Sequence, residues 1–551
     1  MAGAVGGLVN KKLMANTPKE VINWRLFAMA LILSFAGGLH GYNTANISGV
    51  LSMTDFVKTF GFEHYTTTEL ANIKGWITSV LVLGGCFGTL SAQFSSEWLG
   101  RRASLFIAAA GLLIGSILQV ANHGSVGQFI AGRAIAGVGC GFGTVVGPMY
   151  ISEIAPAAIR GGLASMFNMN IMTGVCLGYW INYGSIVNIA DTNPWQWRVP
   201  LIVQMLPGVI LFVGLPFVPE SPRWYVLKNR VDEATKAYTR ITTLPADHPY
   251  VQKEIDALLV HVPRDETGKP VTDVMSYKDL GLLLYRDRTM LRRVVIAFLF
   301  QVFFNFSGGN SITYYQSNIL TSIGLKGQRT AALFSSIYGF AKVVSIIIYA
   351  GFLVDRFGRR VTLMTGASID IACLIYIAAY LGVADTSKST GVAGWFAVVA
   401  LCLFAIGYAM SWGTIPFGIT AEVFPNRVRG KLMSMLFCVQ YCVNFGLSRG
   451  FPNMVITMHS WGPFALFAIV TTLGTVYAFF ALPETKGQNI ELMDQLFDRS
   501  WYLNGVVKHN TVPVAHVVDE ELGTHFEQDE KAVEENVEYP ERKQNTAILN
   551  K

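Results

Sequence analysis

Charge is scarce in this sequence: only 14% of its 551 residues are Asp, Glu, Lys or Arg, while 52% are hydrophobic and the mean hydropathy is +0.41. Such a chain has too few polar side chains to coat one aqueous globule of its size, which excludes an ordinary soluble domain. Cysteine is also sparse. The seven (Cys86, Cys140, Cys176, Cys373, Cys402, Cys438 and Cys442) fall within apolar segments and form no C-x-x-C or Cys/His ligand pattern. They are expected to be small core residues, with no disulfide framework and no metal site. No phosphate-cradling glycine loop and no nucleophile paired with a base stands out, so a polytopic enzyme lacks support. The net charge of +6 is modest and unevenly spread, and it carries no nucleic-acid role.

What is present is length in apolar runs. About twenty such residues cross a bilayer, and twelve segments qualify, near 24–46, 74–95, 103–121, 126–150, 161–185, 198–218, 290–325 (interrupted), 331–353, 362–383, 394–420, 431–455 and 462–482. The basic residues of the short loops, Arg101, Arg102, Arg160, Arg356, Arg359, Arg360, Arg427, Arg429 and Lys431, share one side with Lys11, Lys12 and Lys19. By the positive-inside rule both termini are cytoplasmic. The first apolar segment reads as an uncleaved span.

The chain also says things twice. Gly100-Arg101-Arg102 returns as Gly358-Arg359-Arg360, Glu153-x-x-Pro156-x-x-x-Arg160-Gly161 as Glu422-x-x-Pro425-x-x-x-Arg429-Gly430, and Pro219-Glu220-Ser221 as Pro483-Glu484-Thr485. A repeated membrane topology of this kind is the sign of a transporter built from two similar halves. The organisation predicted is a cytoplasmic segment 1–23, a six-helix half 24–218, a helical cytoplasmic connection 219–289, a second six-helix half 290–482, and a mostly disordered cytoplasmic tail 483–551. In the seventh segment, Ser307-Gly308-Gly309-Asn310 predicts a broken helix, whose freed backbone groups must line a cavity because lipid cannot satisfy them.

Arg133 after Gly132, the run Pro148-Met149-Tyr150 to Arg160-Gly161, Pro219-Glu220-Ser221-Pro222-Arg223, Asp355-Arg356-Phe357-Gly358-Arg359-Arg360 and Pro483-Glu484-Thr485-Lys486-Gly487 together carry a resemblance. The chain is similar to the sugar porter family of the major facilitator superfamily over residues 24–490, and to its fungal branch, which includes hexose, pentose, quinate and galacturonate carriers. The resemblance implies an all-α membrane protein of twelve transmembrane helices in two pseudo-symmetric halves, working by alternating access as a monomer in the plasma membrane. Its cargo would be a monosaccharide or a closely related sugar acid or polyol. A non-transporting sugar sensor is the competing function on the same scaffold.

Carried over by position, the family's sugar-contacting amide of the fifth span falls on Asn168. The paired glutamines of the seventh span fall on Phe304 and Asn305, and its asparagine on Asn310; Gln301 lies one turn before Asn305. The tenth-span tryptophan falls on Phe417, and the eleventh-span trio on Gln440, Tyr441 and Asn444. Phe304 removes a bidentate partner on which glucose carriers of the family rely. Tyr314, Tyr315 and Trp412 remain as stacking or gating aromatics. The repeated charges Arg101, Arg102, Glu153, Arg160, Glu220, Asp355, Arg356, Arg359, Arg360, Glu422, Arg429 and Glu484 are expected to form a gating network that closes the cytoplasmic side.

Lys342 sits about 16 Å from the cytoplasmic end of its segment, too deep to snorkel, and an ammonium there needs a partner. Two partners are open: Asp370 in the ninth span, or a carboxylate on the cargo such as that of galacturonate or quinate. Arg449, late in the eleventh span, has two readings, a mark of the outer interface, which is preferred, or an aid to an anionic cargo. No cofactor is expected beyond H+ as a coupling ion. Proton-driven members of the family carry an aspartate in the first span where this chain has Asn43, which cannot titrate and which facilitative members carry; facilitated diffusion and proton symport both stay open, and coupling would fall to His40, Arg133, Lys342 or Glu153.

Overall fold

The computed structural model describes residue 14 and residues 17–156, 158–260, 277–325, 327–349, 354–384, 391–424 and 426–482; among them there is helix and no strand. The first half consists of α1 (Trp24–Val50), α2 (Thr67–Trp98), α3 (Arg101–Val120), α4 (Val126–Ile154), α5 (Arg160–Asn188), and a sixth span made of α6 (Trp195–Val203) and α7 (Leu206–Gly214). Four short helices follow, α8 (Pro222–Leu227), α9 (Val231–Thr242), α10 (Pro249–Val260) and α11 (Tyr277–Arg286). The second half begins with α12 (Arg288–Phe306), α13 (Gly309–Tyr314) and α14 (Gln316–Ser322), and continues with α15 (Gln328–Ile348), α16 (Val354–Val383), α17 (Val392–Met410), α18 (Ile415–Glu422), α19 (Asn426–Thr457) and α20 (Gly462–Ala481).

Ten stretches of these helices are long and apolar enough to cross a membrane. Two more, α5 at 29 residues and α19 at 32, have the length but more polar side chains. Both pack across the protein rather than only against lipid: α5 lies on α1 and α15, and α19 on α2 and α12. Local chemistry starts the helices where they start. Asn23 Oδ1 accepts from the Leu26 N–H ahead of α1, Thr66 and Glu69 close a capping box on α2, and Asp287 Oδ1 accepts from the N–H groups of Thr289 and Met290 on α12.

Two spans expected to be continuous are broken. The sixth divides between α6 and α7, where Pro207 at the start of α7 supplies no N–H. The tenth divides between α17 and α18 at Ser411-Trp412-Gly413-Thr414, followed by Pro416. The break predicted in the seventh span is present: α12 ends at Phe306, and Gly308 takes φ +84° before α13 begins. The internal repeat reaches the backbone as well. Gly100 adopts φ 99°, ψ 170° and its counterpart Gly358 adopts φ 83°, ψ 169°, a conformation that side chains resist, so glycine recurs where the chain turns into each third helix.

The two halves meet along α2 and α19. Gln93 Oε1 accepts from Ser434 Oγ at 3.1 Å near one end of this seam, and Asn72 Oδ1 accepts from Arg449 Nη2 and Asn453 Nδ2 at 3.1 and 3.0 Å near the other. Those points lie about 30 Å apart at the helical rise, which is the hydrocarbon thickness of a bilayer. A second seam joins α5 to the broken seventh span, where the Tyr179 hydroxyl donates to the Thr313 carbonyl at 2.5 Å, and a third joins Ser48 to Ser317.

Candidate functional site

The broken seventh span and α19 bring most of the carried-over amides together. Asn305 Nδ2 donates to the carbonyls of Gln301 and Gln440 at 2.9 and 3.1 Å, and Asn310 Nδ2 reaches Asn305 Oδ1 at 3.4 Å. Gln301 Nε2 donates to Thr420 Oγ1 at 2.9 Å, and Asn444 Nδ2 to the Tyr314 hydroxyl at 3.3 Å. The first half enters through Tyr441, whose hydroxyl pairs with Thr144 Oγ1 at 2.9 Å and with His40 Nδ1 at 3.3 Å. Asn168, on α5, is half-buried, and its side chain makes no hydrogen bond among the described residues.

Several buried polar atoms in this region meet no hydrogen-bond partner among the described residues: Gln301 Oε1, Gln440 Oε1, Asn43 Oδ1, Trp412 Nε1, and Nη1 and Nη2 of Arg133. Each is costly to bury unsatisfied, about 1–3 kcal/mol for a neutral group. Arg133 is fully buried on α4 and spends only its Nε, on the Ile77 carbonyl at 3.3 Å. Asn43 turns its own Nδ2 back to the Leu39 carbonyl. Amides offer both donors and acceptors on one planar group, the inventory that recognises a hydroxylated ring.

Aromatic side chains wall the site. Phe304 stacks on Tyr408 at 6.2 Å and meets Phe417 edge-on at 5.2 Å; Phe417 touches Phe437. Trp412 is fully buried against Phe300 and Phe303, and Tyr315 stacks on Phe451 at 5.1 Å. Nothing in the sequence marks Tyr408. It lies in a uniformly apolar span with no pattern to mark it, yet its ring fills the space a side chain at Gly309 would need.

Lys342 does not take the partner that an antiparallel neighbour offered. Its Nζ donates to Thr313 Oγ1 at 2.6 Å and lies over the rings of Tyr338 and Tyr408, 4.8 and 5.3 Å from their centres. No direct ion pair joins it to Asp370 among the described residues. Asp370 is also fully buried; Ser411 Oγ donates to its Oδ2 at 3.0 Å, and its Oδ1 has no hydrogen-bond partner. Thr313 lies on the short helix that follows the break at Gly308, and Asp370 acts on the ammonium only from beyond ion-pair distance.

The gating charges divide by half. Arg101 Nε and Nη2 hold both oxygens of Glu153 at 2.9 Å, with side chains 7% and 6% exposed, and the N–H groups of Arg101 and Arg102 donate to Glu220 at 3.0 Å. These contacts fasten α3, α4 and the end of the sixth span within one half, because Arg101 begins α3 where its neighbour α4 ends; they do not latch one half to the other. The Arg102 guanidinium lies over the Phe106 ring and Arg160 is exposed. In the second half Arg360 Nη2 donates to the Phe479 carbonyl at 2.7 Å, Arg356 lies over Phe357, and Arg359 is half-buried. The side chains of Asp355, Glu422 and Arg429, and all of Glu484, lie outside the described residues.

Two helical halves built of membrane-length spans and meeting through amides and aromatics have the architecture of a solute carrier. The chain belongs to the sugar porter family of the major facilitator superfamily: the family model described as "Sugar (and other) transporter" matches residues 29–497. It is similar to the quinate permease of Neurospora africana, 36% identical over 494 residues that cover 87% of this chain and 90% of that protein. It is also similar to the probable quinate permease of Neosartorya fischeri, 33% identical over 489 residues covering 88% and 89%. Among solved structures it resembles the inward-open form of the xylose transporter XylE from E. coli, with a TM-score of 0.65 and 26% identity over 86% of this chain and 100% of that one. The partially occluded inward-open form of the same transporter gives a TM-score of 0.68 at 24% identity over 85% and 100%. This protein is therefore a multi-pass integral membrane transporter for sugars or related small molecules, not an enzyme.

Proposed function

We propose that this carrier moves a polyhydroxylated carboxylate of the quinate type by alternating access, with neutral monosaccharides as poorer cargo. The observation that carries the reading is a fully buried lysine, Lys342, bonded to a hydroxyl rather than to an acid, behind amides whose acceptor oxygens lack partners. Asp370 acts on Lys342 only from beyond ion-pair distance, and an ammonium in the membrane interior needs a counter-charge. A cargo carboxylate that displaces Thr313 supplies one, while Gln301, Asn305, Asn310, Gln440 and Asn444 engage the ring hydroxyls and Phe304, Tyr408 and Phe417 its C–H faces. The relatives' names agree in type.

Charge then sets the driving force. Carrying one anion into a cell that is negative inside costs about 2.3 kcal/mol per 100 mV, and a proton moved with each anion cancels that cost. Asn43 cannot hold the proton; the titratable groups around the site are His40, Lys342 and Asp370. The basic loops support cytoplasmic termini, with the protein acting as a monomer in the plasma membrane. The test is uptake of quinate and of a neutral pentose by the purified protein in vesicles at two external pH values. The reading expects saturable quinate uptake that rises as the outside is acidified, and it fails if the pentose enters and quinate does not.

A further inference from the structure

Three cysteines from the two halves converge on the α2–α19 seam. Cys86 Sγ lies 3.2 Å from Cys438 Sγ and 3.3 Å from Cys442 Sγ, and all three sulfurs fall within 4.8 Å of one another. All are free thiols; Cys86 is buried, Cys438 half-buried and Cys442 exposed on the side of the bundle. The sequence hides this cluster, since 352 residues separate Cys86 from Cys438. Cys438 and Cys442 stand one turn apart on one face of α19, and Cys86 neighbours Gly85, on which the Tyr441 ring rests. Cys86 lies about 18 Å from the Trp98 end of α2 at the helical rise, near the middle of the membrane.

Charge and distance select what three sulfurs there can hold. A divalent ion bound by three thiolates would carry a net negative charge, which hydrocarbon penalises, whereas a trivalent centre bound by three thiolates is neutral. Tetrahedral zinc with bonds of about 2.3 Å sets its sulfurs about 3.8 Å apart, wider than the two separations observed here. Pyramidal trivalent arsenic, whose bond angles are near a right angle, brings its sulfurs closer together and sits above their plane. We propose that Cys86, Cys438 and Cys442 form a binding site for trivalent arsenic, and that its occupancy staples the two halves and arrests transport. The exchange balances without an oxidant: As(OH)3 and three thiols give As(SR)3 and three waters, three As–O and three S–H bonds breaking as three As–S and three O–H bonds form. Only the arrest rests on the carrier reading; the site itself does not.

The test uses the full chain in vesicles with As(OH)3 as the probe. Bound arsenic per chain, alkylation of each cysteine by mass spectrometry, and solute uptake are measured together. The proposal expects one arsenic per chain, joint protection of Cys86, Cys438 and Cys442 with Cys176 and Cys402 still alkylated, and loss of uptake that a soluble dithiol restores. Cys86→Ser and Cys442→Ser each weaken arsenic binding by about a hundredfold, the avidity lost with one of three linked ligands, and Cys402→Ser behaves as the parent. Unchanged binding in both Cys86→Ser and Cys442→Ser overturns the site, as does cadmium ion held more tightly than arsenic. Protected thiols with undiminished uptake overturn the staple. Vesicles with no uptake before treatment count against the carrier reading, and the arsenic count and alkylation map then still decide the site.

Discussion

In the first half, α1 approaches α5 so closely that a Cβ on Gly41 would lie 2.0 Å from the Ile171 carbonyl oxygen, and one on Gly137 would lie 2.1 Å from that of Leu81. In the second half Gly308, Gly309 and Gly474 make room for the rings of Phe467, Tyr408 and Phe303 instead, and Gly446 faces open space. Glycine serves backbone-to-backbone packing more often in the first half and the seating of aromatic rings more often in the second, although Gly366 and Gly407 meet backbone to backbone there and Gly85 seats the Tyr441 ring. The first half is thus built as a stiff frame. The second carries the glycine break of the seventh span, Lys342, Asp370 and most of the amides, so two halves alike in topology divide support from recognition.

The sharpest way to break this comparison is at the frame's charged corner. Glu153→Ala leaves Arg101 buried without its acid, which should cost about 3–5 kcal/mol and appear as a large fall in the melting temperature of the purified protein; an unchanged melting point would mean the pair is dispensable. Next, Gly41→Ala must push α1 from α5 and should cost about 1–3 kcal/mol, read as a smaller melting shift. A recognition residue should behave oppositely. Asn310→Ala, half-buried with one long bond to Asn305, should cut cargo uptake by about tenfold, the worth of one cargo hydrogen bond of about 1.4 kcal/mol, with the melting point held. At the small end, Gly446→Ala should change stability by less than about 0.5 kcal/mol, and a loss as large as that at Gly41 would erase the contrast between the halves.

Much of this was legible in the sequence because membranes simplify it. Apolar length placed the spans, and the recurrence of Gly100-Arg101-Arg102 at Gly358-Arg359-Arg360 foretold a shared backbone turn. Ser307-Gly308-Gly309-Asn310 announced a break because paired glycines inside a span have few other uses. Three-dimensional pairing was not legible. Lys342 bonds Thr313 on α13, with Asp370 beyond ion-pair distance, a pairing across the broken span that no periodicity encodes. The charges of the first half fastened their own helices, since an end-to-end neighbour is nearer than the opposite half. Tyr408 and the three thiols came together from distant positions, each unremarkable in its own segment.

The central claim is that Lys342 supplies the counter-charge for an anionic, hydroxylated cargo. Its most direct test is uptake of quinate and of a neutral pentose by vesicles containing the parent protein or Lys342→Met, each at matched amounts of folded protein. The account predicts that the substitution abolishes quinate uptake and leaves pentose uptake within about twofold, because the methionine keeps the packing under Tyr338 and Tyr408 and removes only the charge. Undiminished quinate uptake by Lys342→Met, or parallel loss of both cargoes, would contradict it.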